Sequence, residues 1–137
     1  LALFHLFSPT VKAQLSDKEK LVESFYLIDE KRFVEAQPLL EELHEKNPDN
    51  PNINYNLGLV YLKSFHEKEK EQALPLLELA TKNVSPNYTP YSPREKKAPV
   101  DAWYYLGLAQ HNDYQFLEAI ESFSKFKTYI NDKHYLW

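Results

Sequence analysis

The stretch "WYYLGLAQHNDYQFLEAIESFSKF", residues 103–126, combines large apolar residues with two small ones at a fixed separation. The small residues, Gly107 and Ala119, lie twelve positions apart. A helical Gly costs about 1 kcal/mol relative to Ala, so we expect close packing between two helices to offset that cost at Gly107. The spacing predicts two helices joined by a short turn, with one small residue on each.

The same pair of small residues occurs twice upstream. Ser24 and Ala36 are also twelve positions apart, whereas Gly58 and Ala73 are fifteen apart because three residues are inserted in "KSFHEKEKEQ". The first two copies are offset by 34 residues, from Ser24 to Gly58. A fixed period of this length predicts stacked helical hairpins, in which large residues such as Tyr61, Leu77 and Trp103 are buried between successive pairs.

The residues at the other repeat positions resemble the tetratricopeptide repeat family. The matching residues are Ser24, Leu27, Ala36, Leu40, Leu43 and Pro48 in the first copy, Leu57, Gly58, Tyr61, Ala73, Leu77 and Ala80 in the second, and Trp103, Leu106, Gly107, Ala119, Phe123 and Phe126 in the third. The chain departs from the family pattern at Asn54, Gln110, Phe126 and Asn131. The resemblance implies an all-α solenoid of about three helical hairpins with a right-handed superhelical turn.

We expect one domain over residues 14–137, with repeats at about 17–50, 51–84 and 100–133. A Pro-rich insertion, residues 85–99, separates the last two copies, and its prolines exclude a helix. Loops of this length are uncommon in compact domains and are often functional, although a packed spacer fits equally well. Residues 131–137 resemble the start of a truncated capping helix, which predicts that the natural protein continues into further domains of the same polypeptide.

Two prolines lie inside the predicted second helices. Pro38 and Pro75 each follow the second small residue, Ala36 or Ala73, by two positions. If each second helix begins about three residues before that Ala, both prolines fall near the end of the first turn or the start of the second. At most one backbone hydrogen bond would then be lost at each proline.

The N-terminal residues "LALFHLFSPTVKAQ" are apolar from Leu1 to Phe7 and then reach Pro9. They resemble the end of a secretory signal peptide, residues 1–13, that is cleaved after Ala13. The alternative is an ordinary apolar segment at the start of a cytosolic protein. No other stretch approaches the roughly 20 apolar residues of a membrane-spanning helix, so we expect no integral membrane segment in the mature chain.

Composition argues against several classes of function. Lys and Arg number 16 against 20 Asp and Glu, and the charges are mixed along the chain, which disfavours nucleic acid as a partner. The absence of Cys removes disulfides and thiolate metal sites. The "HEK" sequences at His44 and His66 lack the second His of a zinc-protease helix. We therefore expect no catalytic residue, no metal and no cofactor.

The repeat register places apolar and aromatic residues of the three first helices on the concave side of the solenoid. The residues we expect to bind a partner there are Phe25, Tyr55, Leu59, Tyr104, Leu108 and His111. Such a groove suits an amphipathic helix or an extended apolar peptide of a partner protein. Alternatively, the N-terminal segment or a following helix covers part of it within the chain. The Lys, Asn and Arg residues that hold a heat-shock protein's C-terminus in related co-chaperones are absent from this lining.

Two further stretches, "NPDNPNINYNLGLVYL" (residues 47–62) and "EKKAPVDAWYYLGLAQHNDYQFLEAIESFSKF" (residues 95–126), resemble the N-terminal repeat region of certain Gram-negative envelope proteins. Those proteins also carry a β-propeller and a peptidoglycan-binding domain similar to that of outer-membrane protein A. The resemblance implies a non-catalytic scaffold of the periplasm or cell envelope. The alternatives are a cytosolic adaptor that is not exported and, more distantly, an accessory subunit of an envelope enzyme.

Overall fold

The computed structural model describes residues 14–132 of the chain. These residues form six α-helices and one parallel pair of two-residue strands. The elements are α1 (Asp17–Asp29), α2 (Phe33–Lys46), α3 (Pro51–Leu62), α4 (Glu67–Ala80), β1 (Val84–Ser85), β2 (Ala98–Pro99), α5 (Asp101–Asn112) and α6 (Phe116–Asp132). The predicted all-α class is confirmed. The signal-like residues 1–13 and residues 133–137 lie outside the described part.

The helices pack as three successive hairpins. α1 packs on α2, α3 on α4 and α5 on α6, and the hairpins join through contacts of α2 with α3 and of α4 with α5. Each helix therefore packs mainly against its neighbours in the sequence, as expected for a helical-repeat solenoid. Asn131 and Asp132, which the sequence indicates as the start of another helix, belong to the last turn of α6.

The small residues of the first helices are positions of close approach. A Cβ atom added at Gly58 would lie 2.8 Å from Cγ of Leu77, and one added at Gly107 would lie 2.5 Å from a ring carbon of Phe123. Real Cβ atoms do not come this close to a neighbouring carbon. The expectation that tight packing between the paired helices offsets the cost of these glycines is thus supported by the geometry.

Large residues fill the core of the stack. The Tyr61 hydroxyl donates to Glu41 of the preceding hairpin at 2.8 Å, whereas Leu77 packs against Gly58 in its own hairpin. Tyr61 and Leu77 are buried, with Leu77 completely inaccessible to solvent. Trp103 is half-buried, and the ammonium group of Lys125 lies 4.2 Å from the centre of its ring. Stacking of the hairpins creates one continuous core from α1 to α5, which no single hairpin could form.

Two departures from the repeat pattern are explained by buried hydrogen bonds. Asn54 stands where a Trp is typical. Its Nδ2 donates to the Pro48 carbonyl, and its Oδ1 lies 2.8 Å from Nδ1 of His44. Gln110, where an aromatic residue or Leu is usual, accepts a hydrogen bond from Oγ of Ser122 at 2.6 Å. Both polar side chains are buried and satisfied, so the repeat tolerates them at little cost.

The two helical prolines lie at different positions in their helices. Pro38 is the sixth residue of α2, at the start of the second turn as predicted. Pro75 is the ninth residue of α4, so the prediction of an early position is wrong for this proline. The reason is that α4 begins six residues before Ala73, whereas α2 begins three residues before Ala36. Both helices have 14 residues, so the three inserted residues move the start of α4 further ahead of Ala73 without lengthening the helix.

Replacing Pro75 with Ala is expected to stabilise the fold. Pro75 is exposed, so the change removes little packing, and it restores the backbone hydrogen bond to the carbonyl four residues earlier. We expect the free energy of unfolding to rise by about 1–2 kcal/mol, less than the full cost of an interior proline because the unfolded chain also gains freedom. Urea unfolding measures this change. Pro38→Ala is the matched control and should give the smaller gain. An equal or larger gain for Pro38→Ala would contradict the claim that Pro75 costs more because it lies deeper in its helix.

Candidate functional site

A cleft of about 400 Å³ lies between the three first helices and the Pro-rich insertion. We call it the insertion cleft. Its helical lining comprises Phe25, Ile28, Asp29, Tyr55, Asn56, Leu59, Asp101 and Tyr105, and the insertion with the following strand supplies Tyr88, Pro90, Tyr91 and Pro99. Most of these residues are apolar or aromatic, which is typical of a surface that binds a protein segment.

Asn52, at the start of α3, holds the insertion against the helices. Its backbone N–H donates to the carbonyl of Lys96 at 3.1 Å, and its Nδ2 donates to the carbonyl of Glu95 at 3.0 Å. The Tyr88 hydroxyl donates to Oδ1 of the same Asn52 at 2.7 Å. Asn52 is completely buried, so each of these bonds forms away from competing water.

The two ends of the insertion are also tied to each other. β1 and β2 pair in parallel, with Val84 opposite Ala98, and the Ala98 N–H donates to the Asn83 carbonyl at 3.0 Å. The insertion is therefore a closed loop with fixed ends.

Tyr91 forms the outer part of the cleft. Its ring stacks on Tyr26, with ring centres 5.0 Å apart, and meets the edge of Phe25 at 6.1 Å. The backbone of Tyr91 has a φ of 61°, a left-handed conformation that costs a non-glycine residue about 1–2 kcal/mol. The aromatic contacts offset this strain. The chain thus covers part of its own first-helix surface with the insertion. The N-terminal segment, which the sequence suggested as one cover, lies outside the described residues.

Three of the six residues expected to bind a partner lie together in the cleft. Phe25, Tyr55 and Leu59 all line it, and each is less than 10% exposed. Tyr104 is not part of the lining, because its ring packs on Phe123 and Phe126 of α6, at 5.8 Å and 5.5 Å.

The other two expected residues lie away from the cleft. Leu108 is half-buried, and His111 is exposed with its ring 5.3 Å from that of Phe116. The cleft instead contains Tyr105, whose ring centre lies 6.0 Å from that of Tyr55. Tyr105 is the repeat equivalent of Asn56, which also lines the cleft.

Two carboxylates line the insertion cleft, and no Lys, Arg or His does so among residues 14–132. Asp29 lies at the end of α1 and Asp101 at the start of α5. Neither forms an ion pair or a side-chain hydrogen bond with another described residue. Burial raises the pKa of the Asp101 carboxyl above its usual value, because the charged form loses part of its hydration.

Burial and the Asp101 charge also act on the tyrosines. The pKa of Tyr55 is raised well above its usual value, first by burial and then by Asp101. The same two causes raise the pKa of Tyr105, and burial raises that of Tyr88 to about 12. All three hydroxyls therefore stay protonated and neutral at physiological pH.

A larger cavity, about 630 Å³, lies between α2 and the α3–α4 turn. Two apolar residues on its rim are strongly exposed, Phe65 at 95% and Val34 at 79%. The helical repeat pattern does not indicate this surface, because the turn residues fall outside that pattern.

Within residues 14–132, no group of three or more His, Asp or Glu residues is arranged to hold a metal ion. None of the described helices combines the length and apolar character that crossing a membrane requires.

Comparison with known proteins identifies part of the chain. Residues 27–85 match the family model described as "Tetratricopeptide repeat". The matched region runs from the end of α1 to the end of β1 and contains α2, α3 and α4. No curated protein matches the chain. The family match supports a tetratricopeptide repeat protein, a type that generally mediates protein–protein interaction and is typically non-catalytic.

Proposed function

We propose that this chain, with tetratricopeptide repeats at residues 27–85, is a non-catalytic scaffold that binds a segment of a partner protein in the insertion cleft. The observation that carries the proposal is the aromatic lining shared by helices and insertion. Phe25, Tyr55 and Tyr105 come from three different first helices, yet all line one cavity. Aromatic residues at the centre of such a cavity are the usual source of binding energy.

The dimensions of the cleft favour an extended segment over a helix. A helix with side chains is about 10–12 Å wide, and the insertion already occupies part of the first-helix surface through Tyr88 and Tyr91. The remaining space of about 400 Å³ suits a few residues of an extended chain. The partner's backbone would lie along the opening while one side chain enters the cavity.

We further propose that the protein works in the periplasm or cell envelope. The support is the signal-like segment at residues 1–13 and the resemblance of residues 47–62 and 95–126 to repeat regions of Gram-negative envelope proteins. A cytosolic adaptor is the alternative. N-terminal sequencing of the protein from fractionated cells distinguishes the two: an N-terminus at Gln14 in the periplasmic fraction supports export, and an intact N-terminal segment in the cytosol overturns it.

Site-specific photo-crosslinking tests binding in the cleft. We would replace Tyr105 by the photoreactive amino acid benzoylphenylalanine, which keeps a large aromatic side chain, and irradiate cells that express the full-length protein. We expect a defined adduct with one partner. The same replacement at Glu78, an exposed residue of α4 that is outside the lining, is the control and should give none. No adduct at position 105, or equal adducts at both positions, would contradict the proposal.

A further inference from the structure

The insertion cleft has negative charge that the described chain does not neutralise. Asp29 and Asp101 approach it from the end of α1 and the start of α5. No basic residue lines the cavity among residues 14–132. The six ion pairs of this part of the chain all lie elsewhere, for example between Lys20 and Glu42 and between Arg32 and Glu35.

Tyr55 offers a second, independent feature of the cleft. Its side chain is only 8% exposed, and its hydroxyl forms no hydrogen bond with another described residue. Every fully buried side-chain nitrogen or oxygen in residues 14–132 has a partner, so the Tyr55 hydroxyl must remain accessible. Because Tyr55 lines the insertion cleft, its hydroxyl oxygen is available there to a ligand that donates a hydrogen bond.

The rings around the cleft provide a suitable surface for a cation. Tyr55 and Tyr105 lie with ring centres 6.0 Å apart at a tilt of 58°, and Tyr91 stands across the cavity on the insertion. The faces of aromatic rings attract Lys and Arg groups, more strongly when water is partly excluded. The aliphatic stem of such a side chain can at the same time lie along apolar residues, and Ile28 and Leu59 line the same cavity.

From these observations we infer that the insertion cleft receives a Lys or Arg side chain of the partner's extended segment. The stem packs against the tyrosine rings, the charged group pairs with Asp101, whose charge also acts on Tyr55, and one N–H donates to the Tyr55 hydroxyl. Asp29 adds to the negative charge at the other end of the lining. This inference rests on the proposed function, since it names the chemistry of the segment that the cleft binds. The raised pKa of Asp101 agrees with it, because an entering cation would compensate the charge that burial penalises.

The charges also predict which partner segments the insertion cleft excludes. An acidic side chain would be repelled by the two carboxylates, and a neutral apolar one would gain nothing from them. The contribution of a partly exposed charge pair falls as salt rises. Binding of a basic segment should therefore weaken with added salt, which an apolar segment would not show.

Selection from a random heptapeptide library displayed on phage tests the inference on the full chain. Peptides that bind the native protein but not Tyr105→Ala would be synthesised, with citrulline or norleucine replacing Arg or Lys as uncharged analogues of similar shape. Their affinities would be measured by calorimetry. The variants are Asp29→Asn with Asp101→Asn and, as the charge-matched control, Glu45→Gln with Glu78→Gln. The control pair is exposed, lies outside the cleft and removes the same two charges.

We expect the selected peptides to share a Lys or Arg. The uncharged analogue should bind roughly tenfold more weakly or worse, and so should the Asp29/Asp101 variant, while the control variant binds as the native protein does. Peptides that need Tyr105 but no basic residue would overturn the inference and leave the proposed function standing. If no selected peptide depends on Tyr105, both fail. Thermal melts of all variants show whether a lost affinity reflects unfolding.

Discussion

Replacing Leu77 with Ala is expected to lower the free energy of unfolding by about 2–5 kcal/mol, the range for a fully buried Leu. Leu77 has no exposed surface, and its Cγ would lie 2.8 Å from a Cβ atom added at Gly58. The change opens a cavity between α3 and α4, at the centre of the core. Denaturant unfolding measures the effect. Leu117→Ala, the same substitution at a residue that is 76% exposed, should change stability by less than about 0.5 kcal/mol.

A double-mutant cycle with Gly58→Ala tests the same contact more sharply. In the native background the new Cβ would lie 2.8 Å from Cγ of Leu77, so the strain of overpacking, about 1–3 kcal/mol, opposes a gain of about 1 kcal/mol in helix propensity. In the Leu77→Ala background that strain is absent. Gly58→Ala should then stabilise the protein. The same effect in both backgrounds would show that close packing is not the reason for this glycine.

Replacing Asn52 with Ala is expected to cost about 2–4 kcal/mol and to release the insertion from the cleft. The side chain of Asn52 bonds to the Glu95 carbonyl and to the Tyr88 hydroxyl, and it also accepts from Asn56. Its removal leaves buried polar groups without partners, at roughly 1–3 kcal/mol for each. Hydrogen exchange should become faster at Ala98, whose N–H closes the insertion.

The matched control for this change lies in the insertion itself. Asn87 is exposed, and its side chain has no hydrogen bond to another described residue. Asn87→Ala should therefore leave both the stability and the exchange at Ala98 unchanged. Equal effects of the two substitutions would mean that Asn52 does not anchor the insertion.

The helical hairpins could be predicted because their contacts repeat along the chain. The small residue on each first helix and the apolar residue opposite it, such as Gly58 and Leu77, recur at nearly constant spacing, and this spacing reflects the packing directly. The start of α4 could not be predicted in the same way. Three extra residues fit either a longer turn or an earlier helix start, and α4 starts earlier relative to Ala73, which moves Pro75 to the third turn.

The insertion could be located from its prolines, but its position on the helices could not. Asn52 contacts the Glu95 carbonyl across 43 residues of sequence, and nothing periodic connects the two. Tyr91 also adopts a left-handed backbone conformation that tyrosine rarely takes. The repeat register and the apolar character of the first helices indicated a surface, and Phe25, Tyr55 and Leu59 of that surface line the cleft. The carboxylates of Asp29 and Asp101 were missed because their place in the cleft lining depends on the fold.

The central claim is that the insertion forms one wall of the cleft that binds the partner. Nuclear Overhauser measurements on the full chain with ¹³C-labelled aromatic rings test it most directly. We predict cross-peaks from the Tyr91 ring to the rings of Tyr26 and Phe25, whose centres lie 5.0 Å and 6.1 Å away. If these cross-peaks are absent and the Tyr91 shifts equal those of an isolated peptide of residues 83–100, the insertion does not cover the helices and the account is contradicted.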